Sequence, residues 1–232
     1  MLRILTTTFN CENYISRCIE YLIKQSVEDW ICYVMDDLST DDTPKILTKI
    51  KDERFTIINN QEKKYQLGNY YEIIQRFDSD DICISLDGDD YFTDNQVLKR
   101  VLNEYENGAW VTWGSCINES KNEIIHQEQG DLINLRSSLW TPFHLRTWKV
   151  FLWRQINKED LMDNGNFWTV AGDLAFMYPM IEMAGSHAKY LKEISYCYND
   201  ENPNCNHFKN RKMQLENDAK IRAKIPYCAK FL

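Results

Sequence analysis

The peptide Leu86-Asp87-Gly88-Asp89-Asp90 ends an apolar run in three carboxylates, with one glycine between the first two. Adjacent acids cannot be buried unpaired, so they must face solvent, a partner or a cation. Clustered oxygen ligands suit a hard divalent ion, which would relieve their mutual repulsion. The chemistry expected is a Mn²⁺ or Mg²⁺ ion on Asp89 and Asp87 gripping an anionic substrate such as a diphosphate. A second acidic pair, Asp36-Asp37, closes another apolar run. A carboxylate at Asp37 could accept the ring N–H of a uracil. The bland reading of either cluster is an acidic turn before a helix.

Core strands must deliver these side chains. Residues 82–86 read as a buried strand, preceded by strands at 3–8, 30–35 and 55–58 and followed by one at 109–113. Between them, Tyr14, Ile15, Cys18, Ile19, Leu22 and Ile23 recur at helical spacing, and Thr43-Pro44 marks a helix start. A further helix is expected over 67–77, and Thr93-Asp94-Asn95-Gln96 fits a capping box for another reaching about Tyr105. This alternation predicts an α/β fold with a mostly parallel sheet and helices on both faces. Loops following parallel strands emerge on one edge, so Asp37 and Asp87/Asp89 can share a cleft, where open α/β sheets bind ligands. The acids of Asp78-Ser79-Asp80-Asp81 lie at the opposite end of their strand and read as a solvated loop. After Gly114 the rhythm breaks into a mixed, aromatic-rich stretch over 115–150. A helix over 173–184, a strand-like run over 190–198 and a charged final helix follow. The expectation is a single domain over 1–232, with a nucleotide-binding half to about 114 and an acceptor-shaping half beyond it.

The chain has 232 residues, 44% of them hydrophobic, and a net charge of -8. That is enough for a sizeable core and argues against a nucleic-acid partner, which would need clustered Lys and Arg. No run approaches the ~20 apolar residues of a membrane span, and the N-terminal residues lack a signal-peptide layout. Eight cysteines form no Cys-x-x-Cys pair; a reduced, cytoplasmic protein is expected. Neither a P-loop nor a Gly-x-Gly-x-x-Gly after the first strand is present, and there is no glycine-rich N-terminal loop. A phosphate would therefore be held by a cation.

Taken together, Leu5-Thr6-Thr7-Thr8-Phe9-Asn10, Met35-Asp36-Asp37-Leu38-Ser39-Thr40-Asp41-Asp42-Thr43 and Leu86-Asp87-Gly88-Asp89-Asp90 resemble a family 2 glycosyltransferase of the GT-A fold. The resemblance implies a UDP-sugar donor and a Mn²⁺ or Mg²⁺ cofactor. It puts Thr7, Phe9 and Asn10 at the nucleotide, with Phe9 stacking on the uracil and Asp37 taking its N–H. Asp87 and Gly88 would lie near the ribose or donor sugar, and Asp89 would be the main metal ligand. Gly68 and Asn69 stand where the family often has a glycine- and arginine-containing segment, here without the arginine. Asp173, at a helix start, matches the position of the family's catalytic base; an ordinary helix cap is the competing reading. His207 matches a histidine that many GT-A enzymes give to the metal. Trp140, His144, Arg146, Trp148 and Trp168 could shape an acceptor site or fill the core.

The activity expected is transfer of a hexose from a UDP-sugar to a hydroxyl on a glycan or a protein side chain, such as collagen-like hydroxylysine. Two rivals are a nucleotide-sugar-binding module without turnover and another metal-dependent nucleotide-sugar enzyme, a nucleotidyltransferase or hydrolase.

Overall fold

A computed structural model of the chain describes residues 1–125, 130–203 and 210–229. The front half alternates β1 (Leu2–Thr8), α1 (Ile15–Ile23), β2 (Trp30–Asp36), α2 (Thr43–Leu47), β3 (Phe55–Asn59), α3 (Tyr65–Ile74), β4 (Ile82–Ser85), β5 (Tyr91–Phe92), α4 (Val97–Glu106) and β6 (Val111–Gly114). Next come β7 (Cys116–Asn118), β8 (Glu123–Ile125), β9 (Phe143–Lys149), α5 (Val150–Trp153), β10 (Met162–Asp163) and β11 (Asn166–Phe167). The chain continues through α6 (Gly172–Ala184), β12 (Ala188–Tyr190), β13 (Tyr196–Tyr198) and α7 (Arg211–Arg222).

The main sheet runs β12-β6-β9-β4-β1-β2-β3. All its pairings are parallel except those of β9, which lies antiparallel between β4 and β6. Two apolar layers cover it. Ile4, Cys32, Val34 and Ile84 pack against residues of α1, α2 and α4 on one face, while Leu5, Met35 and Cys83 meet α3, α5 and α6 on the other. Helices on both faces are thus observed, and the β1 alternation explains it: successive side chains point to opposite sides. The second layer is heavily aromatic. Trp148 lies 5.8 Å from Trp153 and 5.1 Å from Phe176, and Tyr70 joins the group. Trp148 is therefore core, not acceptor wall.

Several expectations change. The stretch over 115–150 contains β9, whose residues 144–148 are all buried. A strand covered on both faces shows no alternation to read. The run over 190–198 is two strands in different sheets, since β12 pairs with β6 while β13 joins β5-β13-β7-β8. The capping box does not form. Thr93 Oγ1 donates to the Ile194 carbonyl, and α4 starts after Gln96 with no side-chain cap. Asp81 is not solvated: it is buried and bonded to Arg3 Nε at 2.8 Å, with the N-terminal amine 3.3 Å away. Burial alone would raise its carboxyl, but the hydrogen bond from Arg3 and its neighbours hold it below the usual range.

Candidate active site

The acidic turn leaves β4 at the edge of the sheet where β1 and β2 also end. Gly88 donates its N–H to the Thr7 carbonyl at 3.0 Å. A Cβ at Gly88 would stand 2.7 Å from Thr8 Cβ and 3.2 Å from the Thr7 carbonyl oxygen. Only glycine lets the turn lie this close to β1. Asp37 follows β2, on the far side of β1 from Asp87, so the two acidic tips flank β1 on one edge.

The carboxylates have different surroundings. Asp87 Oδ1 accepts from Gln66 Nε2 at 2.9 Å, and Asp89 Oδ2 accepts from Asn202 Nδ2 at 2.7 Å. Both are partly exposed. Asp90 is buried, taking Tyr196 Oη at 2.6 Å and the Asn199 N–H at 2.8 Å. Burial and then the charge of Asp89 push the Asp87 carboxyl up to about 7. Asp89 is also raised by burial, and Asp90 more so by burial and its two acidic neighbours.

Asp37 is committed within the chain. Its carboxylate accepts from the N–H groups of Lys64 and Tyr65, from Asn60 Nδ2 at 2.8 Å and from Asn69 Nδ2 at 3.2 Å. Burial would raise its pKa, but these hydrogen bonds outweigh it and hold the group below its usual range. Asn69 also spans Asn60 and the Tyr65 carbonyl, so it braces Asp37. Gly68 sits beside it on α3, facing the Phe167 ring. Phe9 is 38% exposed, with the Lys63 ammonium 3.0 Å from its ring centre. Asn10 takes a left-handed backbone and accepts from the Thr40 N–H at 2.7 Å, tying the loop after β1 to the loop after β2. Thr7 is half-buried near the end of β1, in register with Met35.

The opposite wall comes from β9 and α6. Gly172 starts α6 against α3, where a Cβ would meet Leu67 Cγ at 2.9 Å. The residue capping α6 is Ala171, and no side chain caps it. Asp173 instead lies in the first turn with Oδ2 bonded to Arg146 Nη2 at 2.7 Å. The simple capping role is therefore absent. Arg146 pairs across strands with Ser85, two residues before Asp87. Asp173 also raises, and Arg146 lowers, the Asp87 carboxyl, so the three share one electrostatic neighbourhood. His144 is buried, stacked on Tyr196 at 4.2 Å. Trp140 is half-buried, edge-on to Tyr178. Trp168 is core, 4% exposed, donating to the Asp160 carbonyl. His207 lies outside the described residues.

The profile for "Glycosyl transferase family 2" matches residues 3–169, most of the chain. The chain belongs to glycosyltransferase family 2. Among curated proteins it is similar to "UDP-Glc:alpha-D-GlcNAc-diphosphoundecaprenol beta-1,3-glucosyltransferase WfaP" of Escherichia coli, at 29% identity over 101 residues, covering 44% of this chain and 40% of WfaP. It matches less than half the length of such relatives. Among solved structures, Staphylococcus aureus TarS 1–349 with UDP-GlcNAc aligns at TM-score 0.68 and 16% identity, covering 86% of this chain and 58% of TarS 1–349. PcManGT of Pyrobaculum calidifontis, a mannosyltransferase in complex with GDP-Man and Mn²⁺, aligns at 0.66 and 18%, covering 97% and 65%. These likenesses establish the GT-A fold.

The family 2 cleft can accommodate a cation. Ligand atoms of Asp87, Asp90 and His144 lie within 4.8 Å of one another; Asp89, the main metal ligand by the resemblance, is not in that group. A carboxyl pushed to about 7 by burial and a neighbouring acid is one that a divalent ion would re-ionise. Asp90 was the carboxylate without an assigned role in the sequence. Gln66, Asn202 and Tyr196, which hold the turn, carry no local pattern that announces them. Among the described residues no helix is long and apolar enough to cross a membrane.

Proposed function

We propose that this family 2 glycosyltransferase moves glucose from UDP-glucose to a hydroxyl of a sugar carried on a lipid diphosphate. One observation supports the reading: Asp173, bonded to Arg146, and the Asp87 carboxylate share one electrostatic neighbourhood at the end of β4. The acceptor class follows the printed activities of the two E. coli relatives rather than collagen-like hydroxylysine.

Asp173 would accept the proton of the acceptor hydroxyl. Its pairing with Arg146 uses Oδ2 only, which leaves Oδ1 for the acceptor proton. The freed oxygen attacks the anomeric carbon, and the bond from that carbon to the diphosphate oxygen breaks. UDP leaves with the electron pair, and the anomeric centre inverts. Asp89 and Asp87 would hold Mn²⁺ or Mg²⁺, which supplies charge neutralisation for the diphosphate. Phe9 offers its ring to the base, with Asn10 and Thr7 beside it, while Asp37 and Asn69 set the loop that borders it. Gly88 keeps the turn against β1. The part-exposed Trp140 is a candidate for the acceptor side. All seven described cysteines are free, which supports a reducing compartment, the cytoplasm.

The test offers UDP-glucose, UDP-galactose, UDP-GlcNAc and GDP-mannose, with Mn²⁺, to an alkyl diphosphate-linked GlcNAc. The expected result is UDP release with a β-linked glucosyl product. Pyrophosphate, or free sugar with no acceptor product, would instead identify a nucleotidyltransferase or a hydrolase. Binding without turnover would leave a binding module.

A further inference from the structure

We propose that His144 and Arg146 form a buried positioning pair that fixes Asp173 in the orientation needed to take the acceptor proton. The inference rests on the reading of Asp173 as proton acceptor and adds two residues to it.

His144 and Arg146 are two apart on β9, so their side chains leave the same face. Both are buried, at 7% and 5% exposure. The guanidinium is held at all three nitrogens. Nε donates to the Pro142 carbonyl at 2.8 Å, Nη2 donates to Asp173 Oδ2 at 2.7 Å, and Nη1 lies 3.1 Å from His144 Nε2. A surface arginine gains little from one carboxylate because both side chains wander. This one cannot wander, so Oδ2 is anchored and Oδ1 is set in one direction.

His144 is the less expected partner. Arg146 always donates, so the facing Nε2 must be the unprotonated nitrogen, which puts the ring proton on Nδ1. Nδ1 is buried with no hydrogen-bond partner among the described residues. A phenylalanine could make the same stack on Tyr196 without leaving that N–H unsatisfied. Packing alone does not account for a histidine here. Its contribution is the acceptor atom that completes the cage around Arg146. Errors of about 1 Å in the placement of a reacting group can cost ~10²-fold in rate, which is the scale such a cage can influence.

The test measures transfer to the diphosphate-linked acceptor for folded variants checked by circular dichroism, with Mn²⁺-dependent UDP affinity measured in parallel. Asp173→Asn comes first: transfer lost with UDP affinity retained supports the reading beneath this inference, and unimpaired transfer overturns both. Arg146→Ala should lower kcat by about 100-fold, leave donor KM within about twofold, and recover partly with added guanidinium. Should that variant not fold, Arg146→Lys, which keeps the charge but loses the fork, should lower kcat about tenfold. His144→Gln, whose amide oxygen can replace Nε2 as acceptor, should stay within about threefold of wild type, while His144→Leu should lose at least about tenfold. Equal damage from Gln and Leu, normal kcat in the Arg146 variant tested, or a loss confined to Mn²⁺ or UDP affinity would overturn the pair's positioning role. The last of these outcomes would make His144 a metal ligand instead.

Discussion

The Tyr196 hydroxyl donates to Asp90 Oδ2 at 2.6 Å and accepts the backbone N–H of Asp87 at 3.1 Å. One side chain from β13 therefore grips both ends of the acidic turn. Asn199 adds its N–H to Asp90 Oδ1, and Asn202 reaches Asp89. The third carboxylate of the motif thus takes two of the bonds that tie the back half of the chain to the turn. Because the fully buried Asp90 has its partners supplied by the protein, removing one should be costly. Tyr196→Phe keeps the ring stacked on His144 but leaves Asp90 short of a donor. It should lower stability by about 1–3 kcal/mol in urea unfolding and weaken Mn²⁺-dependent UDP binding. Unchanged stability would show that the hydroxyl contributes little.

Gly88 tests how closely the turn must lie to β1. The nearest atoms to an added methyl belong to Thr8 Cβ, a stiff β-branched side chain, and to backbone of Thr7, so neither yields cheaply. Gly88→Ala should cost about 1–3 kcal/mol by overpacking and displace Asp87 and Asp89 together. The check is paired: thermal unfolding for stability and Mn²⁺ titration for the site. Wild-type values in both would mean that the turn has room the geometry does not show.

The acidic cluster should destabilise the metal-free protein. Burial and the Asp89 charge push the Asp87 carboxyl up to about 7 in the folded chain, against roughly 3.9 when unfolded. Between those values the folded state binds more protons, so stability from this group falls as pH rises through the window. Asp87→Asn removes that loss. In EDTA at pH 8 the variant should be more stable than wild type by about 1–3 kcal/mol, and the gap should close toward pH 4. Urea unfolding at both pH values is the check; a gap that widens on acidification contradicts the assigned shift.

Much of this arrangement can be read from residues alone, for identifiable reasons. The buried runs of β1, β2 and β4 and the carboxylates after them are local patterns, and the edge they share follows from parallel connection. What stays hidden depends on contacts distant in sequence. β9 is buried on both faces and carries no period. Arg146, grouped by type with the acceptor aromatics, pairs with Asp173, and His144, from the same group, pairs with Arg146. Asp37 has the expected place at a strand tip, yet its oxygens face two backbone N–H groups and two asparagines whose approach no sequence spacing shows. Asp81, at the wrong end of β4 for the cleft, is explained by Arg3 and the N-terminal amine.

The central claim is that the turn after β4 holds a cation-bound sugar donor, and calorimetric titration of UDP tests it most directly. Wild type with Mn²⁺ should bind UDP, and both EDTA and Asp89→Asn should weaken that binding by at least about tenfold, ~1.4 kcal/mol. UDP affinity unaffected by EDTA and by Asp89→Asn would contradict the account.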